Sequence, residues 1–324
     1  MRVNHAYGLQ LRDDLPFVKK PDLTFAACSG AKLFDMAKGQ QQFDQLPEDV
    51  HFVTMQAGGN DALFYGMARD CIFHNEHGRA YGGYYLDPTG ECAKSIGNVR
   101  QLLDAAPEEQ GIWKYMDDTI KDIFRDPRTS KNDFKLYVLG YAHLFNIDAP
   151  DSDWCNDKTF SVSASDFANG RRPPLSSGLR TAINDLTTRF NDRTPDVIKN
   201  MRSNKVQYVS TTERFNGHRF CEKDHNMYDQ YFGSNVWLWN VSPDGLFPSS
   251  VKDQAEANKD WADVYNATGF VFMPNMEAWD WTDMLNMEKG PEAKSPQQGW
   301  SPGVVLRPLH PKLARVLSEI EREH

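Results

Sequence analysis

"VHFVTMQAGGNDALF", residues 50–64, is the stretch on which the fold turns. Its first half is a short apolar run with β-branched and aromatic members, the composition of a buried strand. Its second half is turn chemistry. Gly58 and Gly59 let the backbone turn tightly and approach a ligand, and Asn60 beside them offers a side-chain amide donor. Donors that converge at a strand end are the parts of an oxyanion hole, although Gly-Asn-Asp also ends many ordinary strands.

Three further runs, 23–27, 136–140 and 206–210, carry the same strand composition and end in turn residues. Helical periodicity lies between them. Ile112, Met116, Ile120 and Ile123 recur on one face before Pro127. Leu179, Ile183, Leu186 and Phe190 do so before Asn191-Asp192 and Pro195, where the helix is expected to stop. Residues 6–15 and 310–324 are also expected to be helical, the latter with Leu313, Val316, Leu317 and Ile320 on one face.

Alternating strands and helices predict an α/β fold with a parallel sheet covered on both faces. Chemistry in such folds sits at the carboxyl ends of the strands. Cys28-Ser29-Gly30 and Gly58-Gly59-Asn60-Asp61 fall at such ends. The loop-rich stretches 66–96, 146–178 and 222–300 are insertions, and with no repeat or linker the chain 1–324 is expected to be a single domain.

At 324 residues and 40% hydrophobic, the chain can bury a full core. A net charge of −9 argues against a nucleic-acid surface. No apolar stretch is long enough to span a bilayer, and the amino terminus has no signal-peptide core. Five cysteines leave at least one without an intramolecular partner. Cys71 and Cys92 bracket a Gly/Tyr-rich loop, and Cys155 and Cys221 lie in polar segments, as disulfide staples do. Asn266-Ala-Thr is a glycan acceptor tripeptide, while Asn240-Val-Ser is weakened by Pro243. These features point to secretion.

Other residues carry two readings each. Ser29-Gly30 is a nucleophile candidate, an oxyanion N–H or a simple turn. His310, before Pro311, is a general base or a surface helix cap. His218, Cys221 and His225 cluster in sequence but lack a fourth zinc ligand at recognisable spacing, and Cys221 is better used in a disulfide.

Taken in order, "FAACSGA", "FVTMQAGGNDALF", "YVLGYAHLF", "FNGHRFCE" and a late "LHP" resemble the SGNH hydrolases, the GDSL-type esterases and lipases, in their secreted fungal and actinobacterial branch. The resemblance implies a three-layer α/β/α, flavodoxin-like, mostly parallel sheet. It implies Gly30 N–H and the Asn60 amide as the oxyanion hole and His310 as general base, with no metal or organic cofactor. It implies disulfides Cys71–Cys92 and Cys155–Cys221, with Cys28 left unpaired. It implies a small ester, a lipid or an acetylated carbohydrate as substrate, and the protein is expected to be a monomer.

Two departures stand out. The nucleophile of the family lies in a Gly-Asp-Ser turn after the first strand, upstream of the "ACSGA" block, and this sequence contains no Gly-Asp-Ser. Ser29 is a weak substitute, because it sits in the block that delivers the Gly30 N–H, and a nucleophile must face its oxyanion donors. Arg307 stands where many members place an aspartate, and the resemblance to relatives that orient the histidine through a backbone carbonyl implies that the Arg307 carbonyl could do so for His310.

The expectation is therefore an ester hydrolase whose amino-terminal block, first strand and Cys28 partner are missing, inactive as it stands and poorly stable. The alternative is a non-catalytic binding protein on the same fold. A less favoured third reading is an unrelated α/β enzyme using the His/Cys cluster with a metal.

Overall fold

The computed structural model describes residues 22–28, 30–73, 88–106, 111–131, 133–158, 160, 174–226, 229–230 and 235–238. Among them, three parallel strands form one sheet in the order β1 (Phe52–Met55), β2 (Lys135–Leu139) and β3 (Val206–Val209). Phe52 lies opposite Lys135, and Leu136 opposite Val206. These strands match three of the four expected from composition.

Among the described residues five α-helices accompany them: α1 (Gln41–Asp44), α2 (Phe64–Ala68), α3 (Glu91–Asp104), α4 (Ile112–Arg125) and α5 (Ser177–Lys199). In α3 the apolar residues Cys92, Ile96, Val99 and Leu103 make a single buried stripe. Helix α4 buries Ile112, Trp113, Met116, Ile120 and Ile123. It ends where Asp126 turns its carboxylate back onto the Arg128 N–H at 2.9 Å and starts a 3₁₀ turn at Pro127. Helix α5 begins where the Ser176 hydroxyl accepts from the Leu179 N–H at 3.3 Å.

Helix α5 does not stop at Asn191-Asp192. It runs through Pro195 to Lys199, with Thr194, Val197 and Ile198 buried. Proline forfeits one intrahelical hydrogen bond, but burial of that last turn outweighs a local breaker. Helix α3 likewise begins inside a stretch expected to be loop, because its stripe becomes periodic only from Cys92 onward.

The fourth expected strand is absent. Residues 23–27 pair with no strand among the described residues, and Leu23 is 37% exposed. A strand needs a neighbour to satisfy its backbone, and β1 is the edge of the described sheet, so an apolar run without a ladder stays irregular.

The sheet has two unlike faces. Val53 and Met55, Leu136 and Val138, Val206 and Tyr208 share one face in register, and most are buried. Helix α5 packs on β3, and α3 and α4 pack on α5. On the other face Phe52 is 40% and Val209 37% exposed. Coverage of both faces is thus found on one face only among the described residues. The expected helices 6–15 and 310–324 lie outside them. No helix among the described residues is long and apolar enough to cross a membrane. Disulfides join Cys71 to Cys92 and Cys155 to Cys221, and Cys28 is a free, exposed thiol.

Candidate active site

The site grows from the turn after β1. Gly58 adopts φ +105°, and a Cβ there would stand 2.7 Å from the Phe190 ring of α5, so only glycine fits. Three backbone bonds then wind the turn into α2. Ala62 N–H donates to Gly58 C=O at 2.8 Å, Phe64 to Gly59 at 3.1 Å, and Leu63 to Asn60 at 3.3 Å. This winding aims the side chains of Asn60 and Asp61 at the segment that follows Cys28.

There the two side chains grip the backbone. Asn60 Nδ2 donates to Ala31 C=O at 2.8 Å, and the Asp61 carboxylate accepts from Leu33 N–H at 3.0 Å. Burial pushes the Asp61 carboxyl above its ordinary range, and the Leu33 N–H works against that shift. Gly30, next to Ala31, has φ +76° and lies in a turn that the Ala31 N–H closes onto Cys28 C=O at 3.4 Å. No acceptor for the Gly30 N–H is found among the described residues. One Asn60 amide hydrogen is engaged with Ala31, which leaves the second for another acceptor. Residues 30 and 60 are therefore neighbours, each with a donor to offer.

The segment after β2 supports this turn from behind. Gly59 N–H donates to Tyr141 Oη at 3.1 Å, and Gln56 Nε2 donates to Gly140 C=O at 2.8 Å. Asn191 of α5 holds both backbone groups of Tyr141, accepting from its N–H at 2.8 Å and donating to its C=O at 2.7 Å. Asn184, two helical turns earlier, donates to Phe145 C=O at 2.7 Å. Two asparagines of one helix thus replace the strand partner that the chain loses when β2 ends. Burial pushes the Tyr141 phenol up to about 12, so it stays protonated at neutral pH.

Of the residues that the sequence singled out, Gly30 and Asn60 are brought together, while Ser29, Arg307 and His310 lie outside the described residues. Cys221 is spent in its disulfide and is no metal ligand. His218 stacks on Trp237 with centroids 3.8 Å apart, its Nδ1 3.0 Å from Asn235 C=O. Burial lowers the pKa of His225. Among the described residues no group of three or more His, Cys, Asp or Glu could hold a metal ion. Asp61, Tyr141 and Asn191 were not read as site residues. The available signal was that "GGND" and "LGY" each follow a parallel strand and so share one end of the sheet.

Comparison with solved structures reaches the same architecture. The chain matches an extracellular lipase from Streptomyces rimosus at 19% identity over 74% of this chain and 77% of that one, with a TM-score of 0.50. It shares that lipase's fold. A phospholipase A1 from Streptomyces albidoflavus NA297 matches at 18% identity over 75% of this chain and 78% of that one, with a TM-score of 0.42. No family model and no curated protein matches the sequence. The likeness shows an α/β arrangement with a small parallel sheet flanked by helices.

Proposed function

We propose that this protein has the single-domain, three-layer, flavodoxin-like fold of the SGNH-type carboxylic ester hydrolases and keeps their oxyanion hole, made by Gly30 N–H and the Asn60 amide, without their serine nucleophile. The observation that supports the reading is the bond from Asn60 Nδ2 to Ala31 C=O, the residue next to Gly30. In acyl transfer a serine oxygen attacks the ester carbonyl while His310 takes its proton and returns it to the leaving alcohol. The Arg307 carbonyl orients that histidine, and the two donors receive the oxyanion of the tetrahedral intermediate.

The sequence offers no Gly-Asp-Ser turn. Ser29 is adjacent in sequence to the donor Gly30, and a nucleophile and its oxyanion donor need separate positions. This polypeptide is therefore proposed to hold an ester without cleaving it. Two buried disulfides support an extracellular setting, and Asn266 is a proposed glycan acceptor.

The experiment is equilibrium binding and turnover of 4-nitrophenyl butyrate. Binding without nitrophenol release is expected, and Asn60→Ala should weaken binding about fivefold, the worth of one hydrogen bond near 1 kcal/mol. Turnover that depends on Asn60 would overturn the inactive reading, and absence of binding would overturn the ester reading.

A further inference from the structure

We propose that Tyr141 is a positioning residue of the oxyanion turn, holding Gly59 so that the next residue, Asn60, presents its amide beside Gly30. The role rests on the ester-site reading of Asn60, but the contact itself does not.

The geometry makes a continuous chain of fixed groups. Helix α5 fixes Tyr141 at the backbone through Asn191, and the Thr212 hydroxyl adds a bond to Tyr141 C=O at 3.3 Å. The ring is wedged edge-on against Phe64 at 6.0 Å and Phe190 at 5.2 Å between centroids, so its hydroxyl has one place to go. That place is the Gly59 N–H, at 3.1 Å. The other hydrogen bonds of the turn run to groups of the same turn or to the segment 31–33, which the Thr119 hydroxyl of α4 holds at Leu33 C=O at 3.2 Å, so they fix the turn on the side away from β2. The two side-chain bonds to the β2 loop, from Gly59 to Tyr141 and from Gln56 to Gly140, tie it to the rest of the sheet. Gln56 lies before Gly58, and Tyr141 alone of these two acts beyond it, next to Asn60. Glycine at position 59 is part of the same device, since a Cβ there would stand 3.1 Å from the Tyr141 oxygen.

The test compares the wild type with Tyr141→Phe, which keeps the ring and removes the acceptor. Nuclear magnetic resonance reads amide-proton exchange at Gly59 and the side-chain amide of Asn60, titration reads the affinity for butyrate, and a thermal midpoint checks folding. Gly59 exchange is expected to speed up about tenfold and the Asn60 amide resonances to shift, with butyrate affinity about fivefold weaker. Tyr115→Phe, which removes an exposed phenol on α4, should leave all three unchanged. A folded Tyr141→Phe with wild-type Gly59 exchange and wild-type Asn60 resonances would overturn the proposal. So would one that shifts those signals yet binds butyrate as tightly as the wild type. If the wild type binds no butyrate, the ester reading fails, while the Gly59 and Asn60 signals still decide the positioning role. If Tyr141→Phe does not fold, Gly59 in the wild type decides: a protected amide supports the proposal, and one exchanging at the free-peptide rate overturns it.

Discussion

Gly58→Ala perturbs the one backbone position that both the fold and the candidate site require. Two costs add. A side chain at φ +105° sits in a backbone region costing about 1–3 kcal/mol. The new Cβ would also lie 2.7 Å from one Phe190 ring carbon and 2.9 Å from another. Relieving that overlap forces the ring or the turn to move, at about 1–3 kcal/mol. The ring has little room, because it also packs on Trp113 at 5.3 Å and Tyr141 at 5.2 Å. The sum, about 4 kcal/mol, is a large part of a typical domain's stability and, for 324 residues, corresponds to a thermal midpoint lower by about 6 °C. Differential scanning calorimetry reads it directly. Gly97→Ala serves as the control, since a Cβ there on α3 meets nothing within 4 Å and should stabilise by about 0.5–1 kcal/mol. In a Phe190→Leu background the cost of Gly58→Ala should shrink by about 1–2 kcal/mol, because part of it is the ring. A Gly58→Ala protein that melts within 1 °C of the wild type would refute the reasoning.

Two further outcomes follow from the same network. Arg180 is fully buried and donates to Leu175 C=O at 2.9 Å, to Asn146 C=O and to Asn156 Oδ1 at 2.7 Å. Arg180→Met strands those acceptors and should destabilise by about 2–4 kcal/mol in urea unfolding, and a loss below about 0.5 kcal/mol would show that the guanidinium does not hold this loop to α5. Burial depresses the pKa of His143 and of His225 below 6.5. The unfolded chain then takes up protons first, so their contribution to stability is fully present above pH 6.5 and is lost as pH falls below it. His143→Gln with His225→Gln should flatten unfolding free energy between about pH 5 and 7, and an unchanged slope would contradict the burial.

Legibility differed from element to element for physical reasons. The runs at 52–55, 135–139 and 206–209 declare themselves because a buried parallel strand is apolar by necessity. The run at 23–27 has the same composition and no strand, since pairing depends on a neighbour that local composition does not report. Helix α4 stopped where Asp126 and Pro127 say it should, whereas α5 ran through Pro195 because Val197 and Ile198 are buried on the far side. In the site, Gly30 and Asn60 were legible from their neighbours, while Tyr141 and Asn191 were not, as each acts on a residue dozens of positions away.

Local backbone sterics and apolar periodicity suffice for three strands, the main helices, the turn at Gly58-Gly59 and the donors that it carries. That Asn60 grips Ala31, that Asp61 grips Leu33 and that Tyr141 reaches Gly59 are results of long-range packing. Those bonds join segments that lie 28 to 82 positions apart in the chain. Local propensity carries no information about that packing, so "GGND" could announce a turn but not what the turn would hold.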